Sequence, residues 1–257
     1  MNWINIESNL KSLYQKYHLM NGFQSDRDYL KSSFEKIETM WLDTYNQIDT
    51  INIIMISESP LFGKNETYIY NKNTKPTSFF RFNDMKYLPN YEEVTQPISI
   101  YETKEIMINQ FIKSGFITLD IFPFPLNEKD TTINYRNMSK KLYSDILNFT
   151  KESYLKPKLG LILKKTNSNS YFLYRYKRLY DKTDSHLEMV LKEIGSNNYN
   201  VDTIHSNNIP IDREKLYTLI EGQIPTTDEI NAVLNKARKL KGLSLEDVAL
   251  LLRVEDH

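Results

Sequence analysis

Glu58 stands between two serines and ahead of a proline, in Ser57-Glu58-Ser59-Pro60, directly after the apolar run Ile51-Asn52-Ile53-Ile54-Met55-Ile56. A carboxylate delivered by a buried strand is partly desolvated, which raises its pKa toward the range useful for proton transfer. Two further loops carry comparable groups: Asp120-Ile121-Phe122-Pro123-Phe124-Pro125-Leu126-Asn127, and His205-Ser206-Asn207-Asn208-Ile209-Pro210. His205 is suited to act as a base or to donate a hydrogen bond to a developing anion. Ser59, Asp120 and Asn127 offer hydrogen-bonding groups, and Tyr68, Tyr70 or Phe79-Phe80 an aromatic face. The competing reading is that these are ordinary turn residues, because Ser, Pro, Asn and Asp are what loops use, and that Glu58 pairs with a lysine such as Lys64. The four histidines, at 18, 186, 205 and 257, show no metal-ligand spacing, so no metal site or other cofactor is expected. The absence of cysteine excludes disulfides, thiol nucleophiles and cysteine-bound clusters.

A second feature is a basic, aromatic segment. Between Lys151 and Lys182 lie nine Lys or Arg against only Glu152 and Asp181, interleaved with Tyr171, Phe172, Tyr174, Tyr176 and Tyr180. Positive charge beside stacking faces is the footprint of a protein that binds single strands or a flipped base. Lys164, Lys165, Arg175, Lys177 and Arg178 are the candidate nucleic-acid contacts. The alternative is an amphipathic helix with its aromatics turned inward and its charges solvated, and the two readings are compatible.

Stepping outward, each loop needs an element to place it. The β-branched run 51–56 reads as a strand buried on both faces, and 116–122 as a second. Residues 159–163 read as a third strand after the Lys156-Pro157 punctuation, and 199–204 as a short fourth. Helical spacing covers 5–47 as two helices broken at Gly22–Asp26, then 100–114 closed by Gly115, 134–153, most of 171–194, and a further start at 212–219. The polar stretch from the Ser-Glu-Ser-Pro loop to about Gln96 is a long loop, a length usually associated with function. Strands alternating with helices predict an α/β fold, a three-layer αβα arrangement on a mainly parallel sheet, in which polar loops at strand carboxyl ends converge on one rim.

Composition bounds the rest. The chain has 257 residues, 40% hydrophobic and 12% aromatic, enough for a sizeable core. Lys plus Arg equals Asp plus Glu at 33 each, so any nucleic acid has to be held by a local patch. Seven glycines and no Gly-rich phosphate signature disfavour a dinucleotide or P-loop site. No run approaches a membrane span and the N-terminus lacks signal-peptide form, so a cytoplasmic protein is expected. Residues 1–231 contain no alanine, whereas Ala232, Ala237 and Ala249 fall in the last 26. This shift divides the chain into a main domain over 1–221 and a small C-terminal helical hairpin over 222–257. Thr227 or Asp228 caps its first helix, Gly242 ends it, and Ser244 caps the second.

The order of motifs over about 48–215 resembles the uracil-DNA glycosylase superfamily. It is most similar to a branch that reads strand, Glu-Ser-Pro, then an aromatic-Asn element, here Glu58-Ser59-Pro60 and Tyr70-Asn71. Phe79-Phe80-Arg81, the Leu119–Asn127 strand-to-proline sequence and Leu155-Lys156-Pro157 also resemble that branch. The resemblance implies a fold that extrudes a base into a pocket at the strand ends. It implies Glu58 and His205 in catalytic roles, and Ser59, Tyr70, Asn71, Phe80, Asp120 and Asn127 around the substrate. Ser59 occupies the position of the water-activating Asp or Asn of some branches, and of the last His-Pro-Ser motif only His205 carries over. The tail, Ala237-Arg238-Lys239-Leu240 through Val254-Glu255-Asp256, resembles the helical segment preceding the barrel of iminoacetate-synthase-type radical-SAM enzymes, without that barrel or its cysteine motif. It also resembles the first two helices of a repressor-type helix-turn-helix.

These readings lead to a DNA-binding protein that recognises a base at the strand carboxyl ends, with N-glycosidic hydrolysis as its activity if it is an enzyme. Two alternatives stay open: a non-catalytic nucleic-acid or nucleotide binding module, and a partner-docking protein with a vestigial pocket that uses 222–257 for a protein partner or self-association.

Overall fold

The computed structural model describes residues 1–76, 85, 88, 99–127, 130–136, 138–196 and 200–203. The chain divides into two units, Met1–Leu216 and Tyr217–His257, and only the first contains described residues. The hairpin expected over 222–257 and the helix expected over 212–219 lie outside them.

Two N-terminal helices, α1 (Trp3–Lys16) and α2 (Met20–Gln47), precede strand β1 (Ile51–Ser57). Their junction is at Tyr17–Leu19, where His18 takes a left-handed conformation, and not at the predicted break over Gly22–Asp26. Gly22 lies inside α2, packed so close to Thr132 that a Cβ there would meet its Oγ1 at 2.2 Å. Asp26, a poor helix former in isolation, is buried in α2 and accepts from the Tyr14 hydroxyl at 2.5 Å and from Thr132 N–H at 2.7 Å.

Helix α3 (Ile100–Ser114) runs between the predicted caps. Ser99 Oγ accepts from Glu102 N–H at its start, and Gly115 at φ 66° ends it. Gly115 is required twice over: its φ is left-handed, and a Cβ would stand 2.2 Å from Thr50 O. Strand β2 (Phe116–Asp120) follows at once.

The next stretch departs from expectation. Helix α4 (Lys140–Thr150), capped by Ser139, passes through a π-helical turn (Lys151–Leu155) into helix α5 (Lys156–Leu163). The predicted third strand over 159–163 is therefore helical. A short apolar run does not distinguish a buried strand from a buried helix, and Pro157 is tolerated in a helix's first turn. The third strand is β3 (Thr166–Tyr174), whose polar start hid it. Its register with β1 jumps from Ile51↔Thr166 to Ile53↔Tyr171. Ser170 closes that excursion by accepting from Asn167 N–H and donating to Ile51 O. Helix α6 (Lys177–Glu193) then occupies most of the predicted 171–194 helix, and β4 (Asn200–Thr203) completes the sheet.

All four strands are parallel, in the order β2-β1-β3-β4. Every residue of β2, and all of β1 except Asn52, is buried. Successive strand side chains face opposite ways, so this burial requires helices over both faces, which is the three-layer α/β arrangement. The outer edge of β2 is closed by side chains. Thr118 N–H donates to the Tyr70 hydroxyl oxygen and Thr118 O accepts from Trp41 Nε1, each at 2.8 Å. Among the described residues no helix is long and apolar enough to cross a membrane.

Candidate functional site

The parallel register builds the site. Ser57, the last residue of β1, stands opposite Asp120, the last of β2. On the other side Arg175 N–H donates to Ile56 O at 3.1 Å, carrying the β1–β3 ladder one residue past Tyr174. Cross-strand neighbours share a face, so Asp120, Ser57 and Arg175 form a row across three strands at their carboxyl ends, with Thr118 one pleat behind Asp120. Ser57 Oγ donates to Asp120 Oδ1. The loop after β1 folds back over this row and brings Tyr68 to it. Lys104 of α3, itself buried, fixes that loop by donating from Nζ to Tyr68 O at 2.9 Å. Asp120, Ser57, Arg175, Thr118 and Tyr68 line a half-open cavity of about 30 Å³ together with Ser59, Leu61 and Ile69. The Tyr68 hydroxyl and Thr118 Oγ1 are both buried in its wall, close to each other and, for Tyr68, to Asp120.

The electrostatics of this small volume are unusual. Burial pushes the Asp120 carboxyl up to about 6, against the opposing effects of the Ser57 hydrogen bond and the Lys158 charge. Burial lowers Arg175 to about 10 and Lys104 to about 8. Behind Asp120 lies a second buried pair, Lys158 Nζ to Glu38 Oε1 at 2.5 Å, with the ammonium 3.6 Å from the Trp41 ring centre. Burial also lowers Lys158, with Glu38 and Asp120 pulling it back up. A carboxyl near 6 beside a hydroxyl donor is equipped to exchange a proton at neutral pH.

The chain matches no known protein family, curated protein or solved structure. The site is therefore judged on its own geometry.

Glu58 and Asp120 do not share the cavity. Glu58 is one residue past Ser57, and a one-residue step on a strand path turns the side chain to the other face. There it lines a separate open groove of about 440 Å³ with Tyr135, Tyr143, Lys182 and Arg178, whose Nη2 is 3.6 Å from Glu58 Oε2. Ser59 faces the cavity and joins the two spaces through a 2.5 Å hydrogen bond with the Tyr135 hydroxyl. Tyr70 points away from the cavity and closes the β2 edge. Asn71 organises its own turn, donating to Glu66 O and accepting from Asn73 N–H. Asn127 sits with Asp130 and Gly63, outside the cavity wall. Phe80 and His205 lie outside the described residues.

The basic segment separates into different environments. Lys164 and Lys165 precede β3 and so lie at the opposite end of the sheet, about 20 Å along the strand direction from Arg175. Lys165 caps the end of α2, donating to Tyr45 O at 2.7 Å and Ile48 O at 2.5 Å. Lys158 is buried, and Lys151 and Lys156 hold Glu193. Lys177 pairs with Asp181 at 2.7 Å. Arg175 and Arg178 are the two of the five candidates that border the cavity or its adjoining groove.

Thr118, Lys104 and the Lys158–Glu38 pair were not singled out from sequence. Thr118 had a usable signal, because it precedes Asp120 by two residues on a strand. The lysines had none, since a lysine on an amphipathic helix reads as solvated.

Proposed function

We propose that the chain is a nucleobase-handling protein of uracil-DNA-glycosylase type, whose centre is the Asp120–Ser57 row at the strand carboxyl ends and whose activity is N-glycosidic hydrolysis. The observation that carries this reading is Asp120: a buried carboxyl, raised to about 6 by burial, at the rim where open parallel sheets bind ligands. The base would lie in the half-open pocket that Leu61, Ile69 and Asp120 line. Arg175 and Arg178 supply positive charge at the same rim for a phosphate backbone. Support also comes from the order of the sequence motifs.

The test is binding of single-stranded or mismatched DNA at low salt, with free-base release from a panel of modified duplexes. The wild type binds with an affinity that falls as salt rises and releases a base, and Asp120→Asn releases none. Absence of both binding and release ends the reading. A second reading is a binding module without catalysis, in which Arg175 and Arg178 at the strand-end rim hold a ligand that is not cleaved. It is distinguished by binding without release.

A further inference from the structure

We infer that the groove beside Glu58 binds a small phosphate monoester carrying a flat ring with adjacent hydrogen-bond donors, the chemistry of a guanine mononucleotide. The site is separate from the strand-end cavity and does not depend on the reading above. Two helical faces wall it. Lys140, Tyr143 and Leu147 recur at i, i+3 and i+7 on α4, and Arg178 and Lys182 stand four apart on α6. Glu58 and Tyr135 line the same groove from the loops after β1 and β2.

Charge and size together select the ligand. Lys140 and Lys182 form no ion pair among the described residues. With Arg178 they set three cations against the one carboxylate of Glu58, a surplus that a phosphate monoester, with a charge of about −1.5 to −2 at neutral pH, balances. The groove holds about 440 Å³, within the range of small-ligand sites and far more than an inorganic anion fills, so the phosphate carries an organic group. Tyr135, 38% exposed, gives that group a stacking face, and the Ser59 hydrogen bond pins its ring. Arg178 Nη2 stands 3.6 Å from Glu58 Oε2, longer than a hydrogen bond, and the buried Tyr143 hydroxyl lies beside the same carboxylate. Glu58 therefore keeps acceptor capacity toward the groove. A carboxylate inside a basic groove repels a bare anion and favours one that also donates to it. The adjacent N1–H and N2–H of guanine satisfy both carboxylate oxygens, whereas adenine sets an acceptor nitrogen beside its amino group.

Calorimetric titration of the full chain with guanosine 5′-monophosphate, adenosine 5′-monophosphate, guanosine and inorganic phosphate tests the site. The guanine nucleotide binds about 10-fold or more tightly than each of the others. Lys140→Ala and Lys182→Ala, both at exposed positions that leave the fold intact, each weaken it by about 10-fold and leave guanosine unchanged. Glu58→Gln weakens the guanine nucleotide but strengthens inorganic phosphate, two opposite signs that a merely structural role of Glu58 does not produce. Asp120→Asn leaves all four affinities unchanged. Equal affinity for the two nucleotides, or a guanine nucleotide bound no more tightly than inorganic phosphate, overturns the proposal. So does nucleotide binding that survives both lysine variants or is lost in Asp120→Asn, because either result places the ligand elsewhere. Base release without nucleotide binding removes the groove site alone, and nucleotide binding without base release removes only the glycosidic reading.

Discussion

Replacing Asp120 by Asn should stabilise the protein at neutral pH and leave it unchanged in acid. Folding raises this carboxyl from an ordinary 3.8 to about 6. At 1.36 kcal/mol for each tenfold change in proton affinity, the difference corresponds to about 3 kcal/mol. The sign follows from proton counting. Between about pH 4 and 6 the native state holds a proton on Asp120 that the unfolded chain releases, so this residue makes stability fall as pH rises through that window. Below it both states are protonated and the residue is neutral in effect. Above it both are ionised and the native state bears the full cost of a buried carboxylate. Asn keeps the shape and still accepts from Ser57 Oγ, but has no charge to bury. Urea unfolding of wild type and Asp120→Asn at intervals from pH 4 to 8 measures this directly, and subtracting the two curves removes every other titrating group. The difference should grow from near zero to about 3 kcal/mol in favour of the variant and level off above pH 7. A variant that is less stable by a constant amount at every pH would refute the argument, because it would mean that Asp120 is ionised without penalty.

Three further outcomes are expected. Tyr70→Phe leaves the buried Thr118 N–H without its acceptor and should cost about 1–3 kcal/mol in denaturant unfolding; a loss below about 0.5 kcal/mol would show that the β2 edge finds another partner. Lys158→Met strands Glu38 and should cost about 3–5 kcal/mol, whereas Lys158→Met with Glu38→Leu should recover most of that loss; equal destabilisation by single and double variants would contradict a buried pair whose desolvation cancels its attraction. In DNA titrations, Arg178→Ala should weaken binding and reduce the salt slope by about 1, while Lys164→Ala, at the far end of β3, should change neither; the reverse ranking would move the interface to the other end of the sheet.

Much of the scaffold was legible in the sequence because its signals are local. Ser99 and Gly115 bracket α3 where a capping residue and a left-handed glycine should stand. The β-branched run of β1 and the apolar run of β2 read as buried strands, and both are. Failures came where tertiary partners overrode local preference. The apolar residues 159–163 became helical, and the polar residues 166–170 entered β3 with Thr166 pairing Ile51, 167–170 bulging from the β1 ladder and the Ser170 hydroxyl tying the bulge to Ile51 O. Neither the proline at 157 nor the asparagines at 167 and 169 hinted at this. The basic segment misled for a related reason. Counting charges along the chain cannot show that Lys158 is paired beneath the sheet, or that Lys165 spends its ammonium on the end of α2.

The candidate site was legible as a place, and the structure divides its two carboxyls between two spaces. The Ser-Glu-Ser-Pro loop does sit at the strand ends, and Asp120 does end the neighbouring strand. Sequence directs attention to Glu58 because it is the most reactive group in the loop, but reactivity counts only on the correct face. A period of two sends Ser57 and Ser59 to the cavity and Glu58 to the groove beside Arg178. Glu58 faces Arg178, while Asp120 is buried beside a serine, a tyrosine and a buried lysine, and burial outweighs those partners in raising its carboxyl. A buried carboxyl at the rim where three strands end together lowers the stability of the fold above pH 6, a cost of the kind that functional sites carry.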